Sequence, residues 1–142
     1  MELRQFFYKL SGVDKFDGVL VYTGQKVSSF IKPFIKTLEI DNNTEQIKAY
    51  AFSECPNLTS VSIPNSVKKI GANAFYGCKN LVSVKLPDSL EMITSNCFKN
   101  CESLESIALP EGLKTIEWYA FANCKKLKLE IPSTVTTLGL GA

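Results

Sequence analysis

Five cysteines and the absence of histidine set the chemistry that this sequence could perform. Cys97 lies near one of four cysteines that recur every 23 residues, and those four are Cys55, Cys78, Cys101 and Cys124. A thiol nucleophile needs a basic partner such as histidine, which the sequence lacks. A zinc site needs closely clustered ligands, and the cysteines are not spaced in that way. Thiols stacked in register point the same way, which disfavours the twist of a disulfide. We therefore predict free, buried, structural thiols, with no disulfide, no metal and no cofactor.

The cysteine spacing is one column of a repeat that fills most of the chain. Isoleucine recurs every 23 residues from Ile47 to Ile116, and Leu138 follows after 22 because the last unit is one residue shorter. Other apolar columns keep the same phase, and the phenylalanine column is Phe52, Phe75, Phe98 and Phe121. A unit of this length cannot bury its own apolar side, whereas stacked copies share one continuous core. We expect the phenylalanines and cysteines to form interior columns.

Each repeat also carries a short strand signal. In the first full copy Val61 and Ile63 alternate with polar residues and should point inward. Pro64 follows and ends the strand, because proline cannot donate to a ladder. Successive copies of the strand should lie parallel, about 4.8 Å apart. A second apolar pair, Val67 and Ile70, should return on the opposite side of the coil, where a second short ladder could form.

The residue before each cysteine of the 23-residue column predicts a turn. These residues are Glu54, Gly77, Asn100 and Asn123. Glycine and asparagine tolerate a positive φ, so we expect a left-handed backbone at this point of the coil. Glu54 departs from the pattern and is interpreted as a relaxed first turn.

These signals predict a mainly β solenoid with an N-terminal cap. The cap, residues 1–35, should hold a short helix over Leu3, Phe6, Phe7 and Leu10 and a lead-in strand at Val19 to Tyr22. The solenoid should cover residues 36–142. Its predicted units are a degenerate coil at 36–46 and repeats at 47–69, 70–92, 93–115 and 116–137.

The composition and motifs argue against catalysis, nucleic-acid binding and a membrane span. A net charge of +2 is too weak for a phosphate-binding surface, and no apolar run approaches the roughly 20 residues that cross a bilayer. No Gly-x-Ser-x-Gly or phosphate-binding loop is present. Glu102, Glu105, Glu111 and Glu117 occupy columns that vary between repeats, so we interpret them as solvated surface charges. The chain is predicted not to be an enzyme.

The columns resemble the BspA-type leucine-rich repeat. The matching pattern is Ala-Phe-x-x-Cys-x-x-Leu-x-x-Val-x-Ile-Pro-x-x-Val-x-x-Ile, as it runs from Ala74 to Ile93. The resemblance covers about residues 16 to 138 and implies a curved, right-handed solenoid. It also implies a cell-surface or secreted protein with a role in adhesion or protein contact. This sequence carries no secretory signal, so a cytoplasmic location is the alternative.

The resemblance places the outward residues of the strands on the concave side of the solenoid. We name them the strand row and predict that it binds a protein or a glycoprotein. An ordinary solvated strand face is the competing interpretation. The strand row comprises Thr37, Glu39, Ser60, Ser62, Ser83, Lys85, Ser106, Ala108, Lys128 and Glu130.

Two further features lie near the end of the array. Trp118 and Tyr119 occupy columns that otherwise hold small or polar residues, so they could anchor a partner or fold over the last coil as a partial lid. The apolar residues of the last repeat, including Leu127 and Ile131, should be thinly covered. An end-to-end dimer through this coil, or a longer natural chain, would cover them. We therefore predict a non-catalytic binding scaffold, with a self-assembly module as the alternative.

Overall fold

The computed structural model describes residues 16–142 and shows a β-solenoid of short parallel strands. A single-turn 3-10 helix, Lys32–Phe34, joins the first two strands. The strands of this described part are β1 (Val19–Tyr22), β2 (Thr37–Ile40), β3 (Gln46–Ile47), β4 (Ser60–Ser62), β5 (Lys69–Ile70), β6 (Ser83–Lys85), β7 (Met92–Ile93), β8 (Ser106–Ala108), β9 (Thr115–Ile116) and β10 (Thr137–Leu138).

The coils stack through two sets of parallel strands. On one side β4, β6 and β8 form a sheet in which Val61 pairs with Val84 and Val84 with Ile107. On the other side β3 pairs with β5, and β7, β9 and β10 form a second sheet. This second ladder is interrupted between β5 and β7, where the Thr94 hydroxyl donates to the Ile70 carbonyl oxygen over 3.0 Å. The solenoid predicted from the repeat is confirmed, and the second ladder that was left open is present.

A column of phenylalanine rings fills the interior. The ring centroids of Phe52, Phe75, Phe98 and Phe121 follow one another at 5.4, 5.5 and 5.5 Å. Tyr22 of β1 extends the column, since its ring meets Phe52 edge-on at 4.9 Å. Aromatic pairs at such distances contribute beyond the area that they bury. The repeats therefore stack in phase, and β1 closes the start of the column.

Left-handed residues turn backbone N–H groups toward the next coil. Glu54, Gly77, Asn100 and Asn123 all have a positive φ, between 57° and 70°. The left-handed turn is confirmed, and the interpretation of Glu54 as a relaxed turn is wrong. The Glu54 and Gly77 N–H groups donate to carbonyl oxygens one coil further on, those of Tyr76 and Lys99.

A second left-handed column precedes the phenylalanines. It has φ between 55° and 60° and comprises Tyr50, Asn73, Asn96 and Tyr119. Each N–H again donates to the next coil, as Tyr50 does to the Ala72 carbonyl oxygen over 3.1 Å. The conformation is thus held by bonds between coils, which is why side chains as large as tyrosine occupy it.

The strain at Tyr50 gives a testable prediction for stability. A left-handed backbone costs a non-glycine residue about 1–2 kcal/mol, and asparagine tolerates it best. Tyr50→Asn copies the residue of the equivalent Asn73 and should raise the free energy of unfolding by about 0.5–1 kcal/mol. Urea unfolding monitored by circular dichroism measures the change. The reverse substitution, Asn73→Tyr, should lower stability by a similar amount, and a stabilising Asn73→Tyr would contradict this account.

The last repeat departs from the predicted pattern on the strand side. A strand was expected around Lys128 and Glu130, but residues 128–131 form none and make no backbone hydrogen bond to β8. Ile131 is 49% exposed, which agrees with the thin cover expected for the apolar residues of this repeat. This segment is one residue shorter between Leu127 and Ile131 than its equivalents, and we attribute the lost pairing with β8 to that difference. The alternation itself is kept, since Lys128 and Glu130 are exposed and Leu129 is half-buried.

The lead-in strand at Val19–Tyr22 is confirmed and pairs in parallel with β2. The predicted helix at Leu3 to Leu10 lies outside the described residues. The boundary between a cap and the solenoid at residue 35, and those of the individual repeats, stay predictions.

Candidate partner-binding surface

The central part of the strand row is a sheet with its small polar side chains outward. Ser60, Ser83 and Ser106 lie side by side in register on β4, β6 and β8. The next outward register joins Ser62, Lys85 and Ala108. All are exposed except Ser83, which is half-buried. Hydrogen bonds between coils fix the backbone here, so the surface is presented without much loss of freedom on binding.

The N-terminal part of the strand row belongs to a separate sheet. Thr37 and Glu39 are exposed on β2, which pairs with β1. Their register partners Val19 and Val21 are also exposed, and Val21 by 50%. The repeat pattern does not indicate these valines, because the lead-in strand lies outside the repeat. They add an apolar patch to a row that is otherwise polar.

The C-terminal part of the strand row is set apart from the sheet. Lys128 and Glu130 are exposed but lie across a groove of about 690 Å³ from Ser106 and Ala108. The structure therefore brings together the predicted residues of β4, β6 and β8, and leaves the predicted residues on either side in separate segments.

The charges of the strand row are not used in ion pairs within residues 16–142. The ion pairs in that range join Lys114 to Glu91 and Lys125 to Glu102, and both lie outside the row. Lys85, Lys128, Glu39 and Glu130 are thus available to a charged group of a partner. An exposed pair formed with a partner would contribute mainly to specificity and to the rate of association.

Trp118 lies against Gly139 of the last coil. Its side chain is 64% exposed and contacts the backbone of Gly139 so closely that a Cβ there would overlap it. Tyr119 is less exposed, packs against Gly141, and has the Lys99 ammonium group 5.0 Å from its ring centroid. Leu140 beside them is 69% exposed. The Trp118 ring therefore remains accessible to a partner.

The cysteine column satisfies carbonyl oxygens inside the core. The thiols of Cys78, Cys101 and Cys124 each donate to the carbonyl oxygen of a phenylalanine one coil earlier, at 3.0–3.2 Å. All five cysteines are free, and only Cys124 is partly accessible. A small side chain with a weak donor fits this place between backbone and ring.

Burial makes the thiols of Cys97, Cys101 and Cys124 poor nucleophiles. It raises the pKa of Cys97 to about 12 and that of Cys124 to about 11, and it also raises the pKa of Cys101. A hydrogen bond to Cys78, together with burial, raises the pKa of Cys55. Because the thiolate is the reactive form, thiols of this kind react slowly near neutral pH.

The raised thiol pKa values predict a loss of stability at alkaline pH. The folded state keeps the protons of Cys97 and Cys124 up to about pH 12 and 11, whereas an unfolded thiol loses its proton near the ordinary pKa of 9.0. The contribution of these two thiols is thus complete below pH 9.0 and decreases as the pH rises toward 11 and 12, by about 1.4 kcal/mol per thiol and pH unit.

Urea unfolding between pH 8 and 11 measures this loss, with Cys97→Ala as the control, since that variant should show a shallower decrease.

Thiol titration after unfolding without reductant should find five thiols. One or three would contradict the description of the cysteines as free.

Over residues 16–142, no three histidine, cysteine, aspartate or glutamate side chains are placed to share a metal ion. No helix in that range has the length and apolar character that crossing a membrane requires.

The stacked coils and in-phase columns define a leucine-rich-repeat solenoid. Residues 26–142 match six copies of the BspA type leucine rich repeat region. The chain therefore belongs to the BspA-type leucine-rich repeat family, as its columns suggested. No curated protein matches the sequence.

Solved structures of bacterial leucine-rich repeat proteins are similar to this chain. One from Bacteroides ovatus is 31% identical with a TM-score of 0.64, over 88% of this chain and 31% of its own length. One from T. pallidum is 30% identical with a TM-score of 0.68, over 91% and 55%. A leucine rich cell surface protein of Faecalibacterium prausnitzii is 26% identical with a TM-score of 0.68, over 90% and 33%. The chain thus spans between about a third and a half of the length of these proteins.

Proposed function

We propose that the chain is a non-catalytic scaffold that binds a protein or glycoprotein partner through the strand row. The observation that carries the proposal is the register of β4, β6 and β8, which holds serines and Lys85 in an exposed array with unpaired charge. A rigid, repetitive surface of this kind suits an extended partner. The exposed valines of β1 would supply apolar contact at one end.

The partner chemistry follows from the composition of the row. Its charged members are Glu39, Lys85, Lys128 and Glu130, so it carries both signs and no net excess. Few large anchors are present, and the affinity of one array should be modest unless several copies bind together. The likeness to a leucine rich cell surface protein supports an adhesive role at a cell surface.

We also propose that this part of the chain does not catalyse a reaction. Its thiols are the strongest nucleophiles in the sequence. Four of the five are buried, and those of Cys78, Cys101 and Cys124 donate to carbonyl oxygens. The membership in a leucine-rich repeat family supports the same conclusion.

Charge reversal in the strand row tests the proposal. The purified protein is applied to an array of extracellular proteins and glycans, and binding to each positive component is measured again with Lys85→Glu/Lys128→Glu. We expect that variant to bind about tenfold more weakly or not at all. The matched control is Lys68→Glu/Lys69→Glu, which makes the same charge change on the opposite ladder and should bind like the wild type. Equal binding by all three proteins, or no positive component, would contradict the proposal.

Self-association is the second candidate function, and the exposed apolar residues near the last coil favour it. Trp118, Leu138 and Leu140 are 64%, 59% and 69% exposed. Sedimentation velocity should then show a dimer that Leu140→Ser converts to a monomer. A monomer at all concentrations would leave the strand row as the function of the chain.

A further inference from the structure

The sheet of β4, β6 and β8 ends at β8, and no strand of the last coil pairs with it. Hydrogen bonds join the other coils on this side, as from the Val82 N–H to the Thr59 carbonyl oxygen at 2.7 Å and from the Glu105 N–H to the Val82 carbonyl oxygen at 2.9 Å. The equivalent bond from Lys128 to Glu105 is not made, and β8 is the last strand of its sheet. One edge of β8 is therefore unpaired among the described residues.

The parallel register shows which backbone groups are free. Alternate residues of a strand direct their N–H and C=O groups to opposite neighbours. The Ser106 N–H points to β6, where it meets the Val82 carbonyl oxygen. The N–H and C=O groups of Ile107, one residue further, therefore point to the opposite side, into the groove.

The rest of the last coil is docked, so the opening is not a frayed end. On the opposite ladder β10 pairs with β9. The Thr136 N–H donates to the Lys114 carbonyl oxygen at 2.9 Å, and the Gly139 N–H donates to the Ile116 carbonyl oxygen at 2.7 Å. At the turn, the Tyr119 N–H donates to the Leu140 carbonyl oxygen at 3.0 Å. The shorter repeat is thus held at two sides and cannot reach β8 at the third.

The groove between β8 and residues 128–132 has the lining of a strand-binding slot. It has a volume of about 690 Å³, and its apolar part is formed by Ile107, Leu109, Leu129 and Ile131. Glu111, Glu130 and Lys128 form its charged part. Two carboxylates against one ammonium group favour an occupant with a positive charge.

We propose that this slot binds an extended peptide segment that carries a basic residue and adds to β8 as a further strand. The free groups of Ile107 would pair with its backbone, and an apolar side chain of the segment would enter between Leu109 and Leu129. This site shares Lys128 and Glu130 with the strand row, but it binds through the backbone edge of β8 and not through the outward side chains of β4 and β6.

A peptide copied from this chain is a suitable probe. Residues 80–87, with blocked ends, contain the sequence that pairs with the other edge of β8 and include one lysine. We expect it to bind the wild-type protein and to slow hydrogen exchange at the Ile107 amide, as measured by NMR. The same peptide with N-methylated backbone amides should bind about tenfold more weakly or not at all. Absence of binding, or equal binding of both peptides, would overturn the proposal.

A protein variant provides the second test. One serine inserted between Lys128 and Leu129 restores the 23-residue spacing. The last coil should then form its own strand on β8, protect the Ile107 amide without peptide, and weaken peptide binding by about tenfold or more. Peptide binding unchanged by the insertion, or an Ile107 amide already protected in the wild type, would overturn the proposal. Binding of array components through β4 and β6 should survive the insertion, so this result is separable from the test of the strand row.

Discussion

Phe98→Ala is expected to lower the free energy of unfolding by about 3–5 kcal/mol, because it removes a fully buried ring and leaves a cavity inside the column. Phe98 stacks on Phe75 and on Phe121, both at 5.5 Å between ring centroids. The backbone of the repeat is held on both ladders and cannot collapse freely into the space. Urea unfolding followed by circular dichroism measures the change.

Phe121→Ala is the matched control for Phe98→Ala. Phe121 has one ring neighbour among the described residues and a small exposed fraction, so its loss should be clearly smaller. Equal losses at both positions, or a loss below about 1 kcal/mol at Phe98, would contradict a continuous interior column.

Gly71→Ala is expected to destabilise the chain by about 2–3 kcal/mol, because it forces two coils apart. A Cβ at this position would overlap the Ala49 backbone nitrogen and lie 2.7 Å from the Ala49 Cα. These are backbone atoms, which a side-chain rotation cannot move away. Thermal and urea unfolding measure the effect.

Gly112→Ala is the control, since a Cβ there meets no atom within 4 Å. It should leave stability unchanged or raise it by up to about 1 kcal/mol, through the reduced freedom of the unfolded chain. If both alanine variants were equally stable, the close approach of the coils at Gly71 would be refuted.

Most of the fold could be predicted from the repeat. The columns that contain Phe52 and Cys55 show which residues face the interior and how successive coils align. Apolar positions that recur every 23 residues can be buried together only when the coils stack in register. Gly77 and Asn100 likewise indicated a left-handed turn through their backbone preferences. These signals are local and repeat, so one sequence is enough to reveal them.

The second left-handed column was not predicted, and its residues explain why. Tyr50 and Tyr119 rarely adopt positive φ on their own, so the column has no consistent local signal. Hydrogen bonds to Ala72 and Leu140 of neighbouring coils hold them. Such bonds depend on the stack and cannot be read from the residue type.

The arrangement of the central strands of the row could be predicted, whereas the placement of its two ends could not. Ser62 and Lys85 follow from the alternation of the strands. Val19 and Val21 lie on a lead-in strand outside the repeat, and their place beside β2 follows from the fold. Lys128 and Glu130 were assigned by column, although the missing residue moves them away from β8. One residue more or less in a strand changes pairing without changing the columns before and after it.

Lysine footprinting of a complex tests most directly whether a partner binds the strand row. The protein is acetylated alone and with the array component that it binds best, and the extent of modification at each lysine is compared by mass spectrometry. We predict that Lys85 and Lys128 become protected, while Lys68 and Lys69 on the opposite ladder react as before. Protection of Lys68 and Lys69 with Lys85 unchanged would contradict binding through the strand row.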